Sequence, residues 1–197
     1  QGHPTQYGWM WSTGDINRFL ERHYYNGEYS KAKAYWLIGK GVLSLFLPGL
    51  KKFKDSIFDW EPMKIFYDGV SIQRASVSAI TACANEFDMM GFKPWKDTPK
   101  GKLNFIIACL GPRRYPKALL QCRLGWPIEG PGIINAVDED LALVNEVDST
   151  HAFDSELFRW EKGKVLYLRS GGMIEVIKPK VYASRTRSGR YELIRTT

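Results

Sequence analysis

The stretch MKIFYDGVSIQR, residues 63–74, decides the fold class. Two short runs rich in β-branched and aromatic residues flank Asp68-Gly69. Asp-Gly is a preferred two-residue connection between antiparallel strands, so the stretch reads as a β-hairpin. With the antiparallel meander at the C-terminus, this hairpin makes the whole chain read as α+β.

On the N-terminal side, STGDINRFLERHYYNG (12–27) reads as a helix with Ser12 or Thr13 as cap, Asp15 in its first turn and Gly27 at its end. Its apolar face is Ile16, Phe19, Leu20 and Tyr24. Ser30 is placed to cap a second helix through KAKAYWLIG (31–39), and VLSLFL (42–47) reads as a buried strand stopped by Pro48-Gly49. LKKFKDSIFDW (50–60) has Leu50, Phe53, Ile57 and Trp60 at helical spacing, with Lys51, Lys52 and Lys54 opposite. On the C-terminal side, Val77, Ile80, Ala84 and Phe87 fit a helical face that Gly91 would cap. LNFIIACLG (103–111) reads as a buried strand, and Val137, Leu141 and Val144 suit another helix. Residues 111–136 stay ambiguous, limited by Pro and Gly to short elements. From 162 onward the chain reads as a basic antiparallel meander, with turns at 170–172 and at Ser188-Gly189. The expectation is one α+β domain over 1–197, with a flexible segment at 1–12. It would hold five to seven mostly antiparallel strands, with amphipathic helices packed on one face.

The chain has 197 residues, 44% of them hydrophobic and 14% aromatic, enough for a packed core. The net charge of +7 favours polyanionic partners. Cys83, Cys109 and Cys122 form no CxxC and are odd in number, so they read as reduced, buried thiols of a reducing, intracellular compartment. The longest apolar run, VLSLFLPGL, is too short to cross a bilayer.

Charge is segregated. Residues 93–123 carry Lys93, Lys96, Lys100, Lys102, Arg113, Arg114, Lys117 and Arg123 against Asp97 alone. Residues 129–161 are acidic, with Arg159 the only base, and the meander is basic again. If the basic segments converge, they form a nucleic-acid surface, RNA above all. Arg113, Arg114, Lys117, Arg185, Arg187, Arg190 and Arg195 would then neutralise phosphates. Trp95, Tyr115, Trp126, Tyr182 and Tyr191 would stack on bases. Acidic and basic faces meeting between subunits would instead give a self-assembling, virus-like structural homo-oligomer. The plain alternative is that these runs are solvated faces whose clustering does not survive folding.

In the tail, a two-residue Ser188-Gly189 turn pairs Arg187 with Arg190 and Arg185 with Glu192, all on one face. Lys51, Lys52 and Lys54 suit an anionic membrane surface, as in a peripheral matrix-type protein, although the same pattern marks a core-facing helix. DSTHAFDSE (148–156) gathers Asp148, His151, Asp154 and Glu156, donors that a Mn²⁺- or Mg²⁺-dependent nuclease or hydrolase could use. Helix capping by Ser149 or Thr150 explains the same residues more simply. No phosphate loop, GxSxG or HExxH motif occurs, and no cofactor is implied. The leading expectation is therefore a non-enzymatic polyanion-binding protein.

Overall fold

A computed structural model describes residues 8–24, 30–68, 70–84, 91–95, 102–137, 140–154, 156–170, 181–185 and 191–195. In chain order the elements are β1 (Met10–Gly14), α1 (Asp15–Tyr24), α2 (Lys31–Ser44), a 3₁₀ turn (Pro48–Leu50) and α3 (Lys51–Ile57). They continue with β2 (Glu61–Tyr67), β3 (Val70–Val77), β4 (Ala79–Cys83), β5 (Asn104–Ala108), a 3₁₀ turn (Pro112–Arg114) and α4 (Tyr115–Leu124). The last strands are β6 (Ile133–Val137), β7 (Leu141–Asn145), β8 (Ser149–Phe153), β9 (Glu156–Trp160), β10 (Val165–Leu168), β11 (Val181–Arg185) and β12 (Tyr191–Arg195). The architecture is α+β, and every strand pair among the described residues is antiparallel.

Two sheets, in the orders β6-β5-β4-β1-β8-β9 and β10-β7-β2-β3, share one core, while β11 and β12 pair with each other. Side chains alternate across a strand. Trp11, Ala82, Phe105 and Ile107 of the larger sheet therefore meet Met63, Ile65, Val77, Leu141 and Leu143 of the smaller one. Met10, Cys83 and Ile106 point the other way and are covered by Trp95.

The hairpin at 63–74 forms as its sequence dictates. Tyr67 pairs with Val70 across a two-residue loop, and Asp68 takes φ 42°. The cap at Ser30 also forms, its side chain accepting from the Lys33 N–H. Helix α3 and strand β5 lie where the sequence places them.

Other segments differ. Residues 10–12 are not a flexible end but the buried start of β1, so Ser12 and Thr13 are strand residues rather than caps. VLSLFL is the end of α2 and the turn after it, not a strand. Of the supposed helix at 77–87, Val77 ends β3 and Ala79–Cys83 form β4, because an apolar run buried on both faces suits a central strand. Residues 85–90 lie outside the described residues. Around 137–144, Leu141, Leu143 and Asn145 are buried while Ala142 and Val144 are half-buried, a period of two. Pairing with β2 exploits that period, and the coincidental helical spacing gives way. β10 pairs with β7, and residues 171–180, the expected partner, lie outside the described residues.

The two sheets are joined at Ser78, where β3 passes into β4. The Ser78 hydroxyl donates to the Ala108 carbonyl at 2.8 Å and accepts from the Leu110 N–H at 3.1 Å. Its carbonyl accepts from the Asp15 N–H at 2.8 Å, so this corner also sets where α1 begins. Gly14 makes that approach with φ 73°, and a Cβ there would stand 2.3 Å from the Ser78 carbonyl oxygen. Gly14→Ala should therefore cost at least about 2 kcal/mol in denaturant unfolding, combining left-handed strain with a backbone clash. An unchanged midpoint would mean that the corner moves freely.

Candidate functional site

Helix α1 is held by a buried ionic cluster at its first turn. Arg18 donates to Asp15 Oδ1 at 2.7 Å, to Glu61 Oε1 at 2.6 Å, and to the carbonyls of Ile57 and Asp59 at 3.1 and 3.0 Å. The Tyr115 hydroxyl of α4 donates to Asp15 Oδ2, and the Asp59 N–H donates to Asp15 Oδ1. Thr13 and Asn17 donate to the Thr150 carbonyl, tying the same helix to β8.

One guanidinium stands between two buried carboxylates, so one negative charge is left over. Burial pushes Asp15 up from 3.8 to about 7, against the pull of Tyr115 and Arg18, and Glu61 is also raised by burial. The pair holds a proton close to neutrality.

Beside this cluster, α1, α2 and α3 enclose an open groove of about 470 Å³. Arg22, Lys33, Lys40, Trp36 and Phe53 are among its walls. Arg22 lies over the Phe53 ring at 5.2 Å, and Lys40 stands 4.7 Å from the Trp36 ring and 4.6 Å from Phe53. Helix α2 also turns apolar side chains, Trp36 among them, to solvent. Tyr35, Trp36, Leu43, Phe46 and Leu47 are 47%, 59%, 55%, 66% and 49% exposed. Ala34 and Leu37 hold the opposite side of the helix inside.

The residues singled out from the sequence are only partly gathered. Arg113, Arg114 and Lys117 do meet, around a second groove of about 300 Å³ that Glu129 also lines. Arg114 spends one N–H on the Pro131 carbonyl at 2.7 Å. Arg187 and Arg190 lie outside the described residues, as do the side chains of Arg185 and Arg195. The tail register is one residue away from the expected pairing: Arg185 faces Tyr191, and Glu192 faces Ser184. Of the aromatics proposed to stack on bases, Trp95 is buried and Tyr115 is engaged with Asp15.

Lys51 and Lys52 are exposed on α3, and Lys54 lies 3.7 Å from Asp55. The metal reading is corrected. Among the described residues, no three His, Cys, Asp or Glu side chains come together to hold an ion. His151 Nδ1 accepts from the Trp11 indole at 3.0 Å, and burial lowers its pKa. Asp154 closes the β8–β9 turn, accepting from the Trp9 and Met10 N–H groups. Asp148 accepts from the Lys162 N–H and faces Arg159 at 3.7 Å, and Glu156 is exposed on β9. No disulfide joins Cys83, Cys109 and Cys122.

Sequence reading missed Arg18, Glu61 and the groove cations. The Asp15–Arg18 spacing of three was a local signal, but Glu61 and Tyr115 arrive only through the tertiary fold.

No known protein family matches the chain, and no curated protein matches it. Among solved structures it is similar to three described as diacylglycerol kinases of Bacillus anthracis str. Sterne. Identities are 16%, 14% and 15%, with TM-scores of 0.47, 0.45 and 0.48. The matches cover 82%, 82% and 83% of this chain but 50%, 46% and 51% of those chains, so it spans about half their length. The expectation of a non-enzymatic nucleic-acid-binding, matrix-type or virus-like structural protein is corrected by the geometry. Among the described residues, Arg113, Arg114 and Lys117 share their groove with Glu129, Trp95 is buried, and Tyr115 is engaged with Asp15.

The ionic cluster makes a pH prediction. The folded Asp15 carboxyl binds its proton more tightly than an unfolded one. The stability this confers is complete below pH 3.8 and is lost as pH rises towards 7. Asp15→Asn should remove that decline, so wild type should lose on the order of 2–4 kcal/mol relative to the variant between pH 4 and 7.5. Urea unfolding across that range reads the difference, and parallel pH profiles would refute it.

Proposed function

We propose that this chain is a peripheral lipid-surface-binding domain that docks on anionic bilayers through the solvent-facing side of α2. One observation carries the reading: Tyr35, Trp36, Leu43, Phe46 and Leu47 lie exposed along one helix and the turn that follows it. Large apolar side chains left in water on one face mark an interaction surface. No acidic residue occurs between Glu28 and Asp55.

The occupant is argued from charge. Lys40 is on the same helix, and Lys51 and Lys52 are exposed just beyond the Pro48–Leu50 turn. A second copy placed on this face by a twofold axis would bring lysines against lysines. An anionic bilayer would take the apolar residues into its interface and the lysines at its charged surface, each lysine contributing about 1 kcal/mol. Trp36 and Tyr35 suit the headgroup level, where amphipathic rings settle. Among the described residues, no helix is long and apolar enough to cross a membrane. The reading concerns the same chemical class as the diacylglycerol of the kinases named above, but its support comes from α2 alone.

Phe46→Glu with Leu47→Glu should reduce partitioning onto vesicles of phosphatidylcholine with anionic lipid by at least about tenfold, since each change replaces buried apolar area with like charge. Both positions are exposed, so thermal stability should hold. Sedimentation with vesicles measures binding, and a blue shift of the tryptophan emission seen in wild type should be reduced in a Trp36→Phe chain. A wild-type chain that ignores vesicles but dimerises with concentration would show that α2 meets a second copy instead.

A further inference from the structure

We infer that the groove between α1, α2 and α3 is a receptor site for a phosphate monoester. The inference deepens the lipid-surface reading, because it names the headgroup that the docked domain would select.

The groove carries unbalanced positive charge. Arg22, Lys33 and Lys40 line it, and among the described residues none of the three has a carboxylate within ion-pair distance. Arg18 also lines it but is committed to Asp15 and Glu61. Glu21 is the acid in the lining, and its Oε1 accepts the Thr150 hydroxyl at 2.7 Å. Three uncommitted cations against one carboxylate leave about two positive charges, which a phosphate monoester, with its second ionisation near pH 6, would balance. A phosphodiester brings only one negative charge.

The cations are also pre-placed. Arg22 rests on the face of Phe53, while Lys40 rests on Trp36 and Phe53. Ring faces attract a cation without using it up, since an ammonium keeps N–H donors for an anion. Holding these long side chains on rings lowers the entropy lost when an anion binds.

Trp36 then links the groove to the docking face. It lines the groove and is 59% exposed on the apolar side of α2. A headgroup would enter with its phosphate towards Arg22 and Lys40, and its glyceryl and acyl portion would leave past Trp36 towards Leu43. The groove opens to solvent, so the phosphate of a lipid and that of a soluble ester use the same chemistry.

Two arms of one experiment separate these sources. In the first, the whole chain binds vesicles holding phosphatidic acid, or phosphatidylglycerol matched for surface charge. Wild type should prefer phosphatidic acid by about tenfold, and Arg22→Gln with Lys40→Gln should lose the preference while still binding phosphatidylglycerol. In the second, glycerol 3-phosphate is titrated by calorimetry without vesicles. Binding in the millimolar range that the double variant abolishes supports the site for a soluble ester, whether or not α2 docks on membranes. Lys33→Gln, which touches no ring, gives a second reading should the double variant fold poorly. Vesicle binding without headgroup preference, together with no heat from glycerol 3-phosphate, overturns the inference and leaves the α2 reading standing. No vesicle binding at all sinks the α2 reading, and glycerol 3-phosphate then decides the groove.

Discussion

Arg18 is the constraint on which the functional side of the molecule depends. Its guanidinium joins α1 to the end of α3 through the Ile57 carbonyl, to the following turn through the Asp59 carbonyl, and to β2 through Glu61. Asp15 extends the connection to α4 through Tyr115 and, by its own N–H, to the sheet corner at Ser78. Such a buried ion network contributes little net stability, because desolvating the charges offsets their attraction. Breaking it is another matter. Removing one partner strands a buried charge and costs about 3–5 kcal/mol. The network therefore fixes where α1 stands rather than how tightly the chain folds, and α1 is one wall of the cationic groove.

That position explains the exposure of α2. The helix packs through Ala34, Leu37 and Gly41, small or aliphatic residues that bring it close to its neighbours. Its other side then has nothing left to cover within the described residues. Two exposed aromatics and the Leu43–Leu47 end remain in water because the core is already complete between the two sheets. An amphipathic helix buries its apolar stripe and exposes charge. Here the solvent side is apolar too, and the charge is pushed to the edges, where Lys40 lies against rings.

The fold class was legible because hairpin signals are local. Asp68-Gly69 needs only its two flanks to specify a turn, and Tyr67 opposite Val70 confirms it. Where the sequence misled, two periods were present at once. Val137, Leu141 and Val144 fit a helix as well as Leu141, Leu143 and Asn145 fit a strand, and only β2 alongside decides between them. VLSLFL read as a buried strand for its β-branched and apolar content, yet it continues a helix already nucleated and capped at Ser30. The same error hid the exposure of Leu43, Phe46 and Leu47, because residues assigned to a core cannot be recognised as exposed. Phe53 shows how far the reading reached. Its place on an apolar helix face was visible, but its role as the ring beneath Arg22 and Lys40 needed α1 and α2 in position.

Charge was the least transferable signal, for a physical reason. Sequence clustering counts like charges along the chain, whereas binding depends on cations left without acids in space. Part of the acidic run at 129–161 is answered within the fold: Glu146 lies 3.9 Å from Lys64, Asp148 3.7 Å from Arg159, and Asp140 3.2 Å from Arg169. These are exposed pairs, each worth at most about 1 kcal/mol, and they offset part of the field that the run would otherwise project. Arg22, Lys33 and Lys40 come from two different helices and form no run at all. Among the described residues none of the three has a carboxylate within ion-pair distance: Asp15 and Glu61 are engaged by Arg18, and Glu21 accepts the Thr150 hydroxyl. The ionic cluster that positions α1 therefore also keeps its carboxylates away from the groove.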